Sequence, residues 1–97
     1  MTELRFEWNH AKSNSNAKKH GIDFEEAKSV FYDDDALLIK DSVHSDQEDR
    51  FLLLGMSVRL RIILVCHCVR GMGDTIRIIS ARKANRDEQG QYLSRLR

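Results

Sequence analysis

His44, Glu48 and Arg50 fall within seven residues of one another, where a polar stretch gives way to an apolar one. An imidazole and a carboxylate can both move protons, and a guanidinium can hold an oxyanion. Such a set suits the cleavage of a phosphodiester by its own neighbouring hydroxyl, a reaction open to RNA. A base takes the 2′-hydroxyl proton, an acid protonates the leaving 5′-oxygen, and fixed cations steady the charge on phosphorus. His44 or Glu48 would serve in proton transfer, with Arg50, Arg77 and Arg82 as the cations. A polar connecting loop with an ordinary ion pair accounts for the same residues, and spacing alone leans towards it.

Lys12, Asn16 and Lys19 recur at steps of four and three, along one face of a helix that His20 would close. That face could hold phosphates, with an imidazole suited to proton transfer at its end. The plainer alternative is a solvated helix whose last histidine complements the helix dipole, and spacing favours it.

The run Ile76-Arg77-Ile78-Ile79-Ser80-Ala81-Arg82-Lys83-Ala84 predicts a strand that passes directly into a helix. Alternation puts Ile76, Ile78 and Ser80 on one face and Arg77 and Ile79 on the other. Ser80 is then placed to cap a helix beginning near Ala81. The open amides of that first turn, beside Arg77, Arg82 and Lys83, suit a phosphate or a carboxylate. Nucleic acid and an acidic partner surface both fit.

Cys66, His67 and Cys68 share one strand, so the two thiols face one side and the imidazole the other. Three such ligands do not converge on one ion, and no second Cys/His cluster completes a set. Neither a metal nor a cofactor is expected. Both thiols are expected to be reduced core residues, and His67 would reach a cleft only if its face of the sheet is open. Glu88 and Tyr92, one helical turn apart, are expected to pair and pack rather than react.

Ninety-seven residues, 41% of them apolar, make one domain spanning 1–97 with one core. No stretch has the length of a membrane span, and Met1 to Trp8 lacks the apolar centre of a signal peptide, so a cytoplasmic location is expected. The net charge of +1 hides a division. Residues 23–49 carry ten acids against two lysines, a net of −8, whereas residues 50–97 carry ten basic side chains against three acids, a net of +7. A basic face for a polyanion is one explanation; charges segregated only in sequence is the other.

The elements that must position these groups follow from pattern. Leu4, Phe6 and Trp8 alternate with charged residues as a short strand. Asn9 caps a helix to about His20, ended by Gly21. Asp23-Phe24-Glu25-Glu26 forms a capping box, with Ile22 and Ala27 as its staple, before a helix burying Phe24, Ala27, Val30 and Phe31. Strands follow at Ala36–Asp41, Arg50–Met56, Leu60–Val69 and Thr75–Ser80, then a last helix from Ala81. The order β-α-α-β-β-β-β-α predicts an α+β domain, a twisted antiparallel sheet with helices packed on one face.

Three ordered blocks resemble a known family. Phe6-Glu7-Trp8 with Lys12, Asn16, Lys19-His20-Gly21 and Phe24-Glu25-Glu26-Ala27 is similar to the opening of the BrnT toxins. Asp41-Ser42-Val43-His44-Ser45, Glu48-Asp49-Arg50 and Gly55 resemble their middle, and Ile76 to Ala84 with Glu88 and Tyr92 their end. Asn9 stands where the family often has aspartate, and Cys-His-Cys where hydroxyl or aliphatic side chains are usual.

The resemblance implies a ribonuclease toxin of a type II toxin–antitoxin pair with a RelE-like fold. Its implied partner is a BrnA-type antitoxin with a ribbon-helix-helix DNA-binding part, through which the complex would hold operator DNA. By the same resemblance, Lys12, Asn16, His20, His44, Glu48, Arg50, Arg77, Arg82 and Lys83 are the positions to test. The expectation is therefore a metal-independent endoribonuclease with His20 or His44 in proton transfer and Arg77 and Arg82 as clamps. Lys12, Asn16, Lys19 and Lys83 would hold the RNA. A module that only docks antitoxin or nucleic acid is the chief rival, and a relative that inhibits a topoisomerase is the second. Only the first reading requires His20 and His44 to cluster.

Overall fold

A computed structural model of the chain describes residues 4–41 and 50–96. Its elements are β1 (Arg5–Glu7), α1 (His10–His20), α2 (Phe24–Ser29), a 3-10 turn (Val30–Tyr32), β2 (Leu37–Asp41), β3 (Arg50–Met56), β4 (Ile62–Arg70), β5 (Thr75–Lys83) and α3 (Arg86–Arg95). The strands form one sheet in the order β1-β5-β4-β3-β2. β2 to β5 run as an antiparallel meander. β1, however, lies parallel to β5, with Arg5 opposite Thr75 and Glu7 opposite Arg77. The sheet is mixed rather than antiparallel, because α1 and α2 carry the chain from one edge to the other before the meander begins.

Helices also cover both faces, not one. Ile22, Phe24, Ala27 and Val30 pack with Leu53, Ile63, Val65, Ile76 and Ile78. Leu54, Leu64, Ala84 and Tyr92 form a second cluster. Leu53 and Leu54 are adjacent on β3, so alternation sets the two clusters on opposite sides of the sheet. Tyr92 brings α3 to its cluster and donates its hydroxyl to Asp33 Oδ2 at 2.6 Å. Burial, with that carboxylate alongside, pushes the phenol up to about 12.

α1 has the predicted ends. The Asn9 side chain accepts from the Lys12 amide at 3.1 Å, and Gly21, at φ 73°, closes the helix in the left-handed region. The next box is only half formed. Asp23 accepts from the Glu26 amide, but the Glu26 carboxylate turns away to Arg61 and to the Ser57 hydroxyl. α2 ends at Ser29, and Val30 to Tyr32 continue as the tighter 3-10 turn. The hairpin Ser57–Arg61 delays β4 until Ile62 and holds Leu60 at φ 62°.

The largest departure from expectation lies in β5. Cys66 pairs with Ser80 and His67 with Ile78, so Ile79 is an extra residue, a bulge that reverses the alternation. Ser80 and Arg82 thus share the face of Arg77, while Ala81 joins the core with Ile76 and Ile78. Ser80 caps no helix. β4 is nine residues long and continues to offer a ladder, with Leu64 opposite Arg82 and Ile63 opposite Lys83. Asn85 caps α3 instead, in a full box with Glu88. The open helix N-terminus expected beside Arg82 and Lys83 is therefore absent, its place taken by strand and by the Glu88 carboxylate.

Candidate active-site cleft

The sheet register lines up rows of side chains on the face that α3 partly covers. Asp41, Arg50, Cys68, Arg77 and Glu7 form one row across all five strands. Ile39, Leu52, Cys66 and Ser80 form the next, and Leu37, Leu54, Leu64 and Arg82 the one nearest α3. A cleft of about 460 Å³ opens over these rows, with Leu52, Leu64 and Ile79 as its apolar floor. His20, from the last turn of α1, shares its rim with Asp41, Arg50, Ser80 and Arg82. An apolar floor under a rim of cations suits a base or ribose with a phosphate beside it.

The rim arginines differ. Arg50 has a buried Nε without a hydrogen-bond partner among the described residues. A guanidinium N–H in that state favours an incoming acceptor, because leaving a buried donor unpaired is costly. Arg82 is already engaged, donating Nη1 and Nη2 to the two oxygens of Glu88 at 2.8 and 2.9 Å. That fork raises the Arg82 pKa, and its bonds hold Glu88 below the usual carboxylate range against the opposing effect of burial. Cys66 reaches the cleft half-buried, and burial pushes its thiol up, so it is protonated at neutral pH. Of the two cysteines, Cys68 alone takes the expected core position.

Residues 8–88 match the family described as "Ribonuclease toxin, BrnT, of type II toxin-antitoxin system". The chain belongs to the BrnT family. Its fold is similar to the crystal structure of the Brucella abortus ribonuclease toxin BrnT, with a TM-score of 0.64 and 24% identity, over 89% of this chain and 100% of that one. None of the curated proteins compared with the chain matches it. As a BrnT-family member it is a ribonuclease toxin of a type II system, which implies an RNA substrate and an antitoxin. No helix among the described residues is long and apolar enough to cross a membrane.

The cleft of this BrnT-family chain gathers some of the residues singled out from sequence and leaves others aside. His20, Arg50 and Arg82 line it together. Arg77 shares their face but pairs with Glu7 at 2.7 Å, outside the lining. Lys12 and Lys19 are exposed on α1, and Lys83 at the end of β5. Asn16 is buried against β5 rather than presented to solvent. His44 and Glu48 lie outside the described residues, although both ends of their segment, Asp41 and Arg50, line the cleft. His67 is turned to the opposite face, packed against Phe31 with ring centroids 4.8 Å apart, and burial pulls its pKa down. It has no access to the cleft.

Asp41, Cys66 and Ser80 were not picked out as cleft residues from sequence. Asp41 was legible in principle: two strands bracketing one polar loop must pair, which sets Asp41 opposite Arg50. Ser80 was hidden by the bulge. Glu26 and Arg61, an enclosed ion pair, were hidden by a separation of 35 residues.

Proposed function

We propose that this BrnT-family toxin is an endoribonuclease that cuts RNA through attack of a 2′-hydroxyl, without a metal ion. The 2′-oxygen forms a bond to phosphorus as the bond to the 5′-oxygen breaks, leaving a 2′,3′-cyclic phosphate and a 5′-hydroxyl. One group removes the 2′-hydroxyl proton and one protonates the departing 5′-oxygen. His20 takes one of these roles, and His44 or Glu48, from the segment whose two ends line the cleft, takes the other. Arg50 and Arg82 hold the phosphoryl oxygens as charge builds there, which is the part a metal cation would otherwise fill. Lys12, Lys19 and Lys83 hold flanking phosphates, and Arg77 with Glu7 borders the path of the strand.

The observation that carries this reading is the buried Arg50 Nε, without a hydrogen-bond partner among the described residues, in a cleft that His20 also lines. In the same proposal the fold is RelE-like and the protein works in the cytoplasm. A BrnA-type antitoxin with a ribbon-helix-helix part neutralises it and carries the complex to operator DNA.

The test is incubation of antitoxin-free protein with end-labelled RNA in EDTA, with analysis of the product ends. Cyclic-phosphate ends that vanish in R50A and in H20A support the reading. Intact RNA at high protein concentration would instead favour a docking module or a toxin with a protein target such as a topoisomerase.

A further inference from the structure

Resting on that reading of the cleft, we propose that Asn16 is a positioning residue: its carboxamide fixes the end of α1, and so His20, against the β5 segment that carries Ser80 and Arg82. Asn16 sits only four residues before His20, at the middle of the helix face that meets the sheet. Its Nδ2 donates to Ala81 O and to Ile22 O, each at 2.8 Å, and its Oδ1 accepts from the Ala81 amide at 3.2 Å. The side chain thus satisfies both polar groups of Ala81, as a neighbouring strand would. It does so where β1 gives no cover, since β1 pairs with β5 only as far as Arg77.

The rest of α1 explains why this contact sets position. The two buried side chains of α1 are Ser13 and Asn16, both polar. Ser13 Oγ accepts from the Phe24 amide, tying the helix to α2 rather than to the sheet. A helix docked by apolar packing can slide by fractions of an ångström at small cost, whereas paired hydrogen bonds to one residue's backbone define a single register. The link to Ile22 O, together with Arg61 Nη2 donating to Gly21 O at 2.8 Å, grips the chain just beyond His20. His20 is therefore held on both sides by backbone contacts, and its own side chain remains in the cleft lining. Both Nδ2 hydrogens are engaged and the side chain is buried, so the carboxamide offers no donor to RNA.

N16A, measured per folded molecule well below its melting temperature, should lose about 10²-fold in kcat, with KM within about threefold of the parent. A raised KM with parental kcat would make Asn16 an RNA contact and overturn the proposal. Parental kcat and KM in a less stable protein would make it a purely structural residue and overturn it equally. N16D supplies a second variant, because it retains the acceptor for the Ala81 amide but has a donor only when protonated. Its kcat relative to the parent should rise as pH falls from 7 to 5.5, and a flat ratio counts against the proposal. If the parent cuts no RNA, the ribonuclease reading fails. The geometry is then decided by the His20 ring resonances, which should shift in N16A, and unchanged resonances would overturn it.

Discussion

Arg82 and Glu88 meet through two parallel hydrogen bonds, so a cleft cation is locked in plane by a carboxylate from the first turn of α3. Glu88 also accepts from the Asn85 amide at 2.8 Å, so one side chain caps the helix and orients the guanidinium. E88Q should lower cleavage about tenfold while leaving the fold intact, as a looser clamp aims poorly at a developing charge. The stability effect at pH 7 should be small, about 1 kcal/mol or less, since the Arg82 side chain is 42% exposed. The Glu88 pKa is depressed in the folded state, so its stabilisation is present at neutral pH and lost as pH falls through the acid range below about 4. Urea melts of parent and E88Q should differ at pH 7, and the gap should narrow steadily as pH falls into the acid range. A gap of constant size would show that the pair has no such linkage.

Arg50 should be the most sensitive cation in the cleft. R50A should reduce the rate of RNA cleavage about 10²–10³-fold, the usual loss when one preorganised stabiliser of charge is removed. R50K keeps the charge but not the Nε donor, and should recover only part of that loss. R77A, whose partner is Glu7, should be milder than R50A in the same single-turnover assay. The reverse ranking would move the reacting phosphate towards β1.

Glu26 and Arg61 form an enclosed pair, with Glu26 at 3% side-chain exposure. Burial alone would raise the Glu26 pKa, but the hydrogen bonds from Arg61 and Ser57 outweigh it and hold it below the ordinary value. R61A, which strands that carboxylate, should cost about 3–5 kcal/mol in a denaturant melt, whereas E26M/R61M should be close to neutral. The R61A deficit should begin to shrink already above the ordinary carboxylate range as pH falls, because burial without Arg61 makes Glu26 in the variant take up a proton early. A double variant as unstable as R61A would mean that the pair itself, not the lone carboxylate, decides.

Leu60 is an exposed leucine at φ 62°, in the turn where the Leu60 amide donates to Ser57 O at 2.9 Å. A branched side chain is disfavoured there, and glycine is not. L60G should stabilise the protein by about 0.5–1 kcal/mol, a rise of a few degrees in Tm for a domain of this size. A fall in Tm would mean that the leucine makes contacts worth more than the backbone strain.

Local signals in the sequence were followed closely where one side chain meets its own backbone. Asn9, Gly21 and Asp23 mark helix ends because capping involves residues three or four apart. The strands of the meander were legible from apolar runs between turns. What escaped was set by partners distant in sequence. The parallel pairing of β1 depends on β5, and the bulge at Ile79 depends on the register of β4. At the cleft, His20, Arg50 and Arg82 were recognisable as residue types. Their shared location, and the withdrawal of Asn16 and His67 from it, required the sheet. Arg77 illustrates the same limit, since nothing near it in sequence announces Glu7.

Because Glu7 lies opposite Arg77 on adjacent parallel strands, the first strand and the last are joined by residues 70 positions apart. A chain emerging from the ribosome has made β1, α1 and α2 long before their counterpart on β5 exists. No N-terminal fragment that stops short of Ser80 can assemble the cleft, since His20 has nothing to face. The cleft is thus the last part of this domain to form, because it waits for a strand made after all the others.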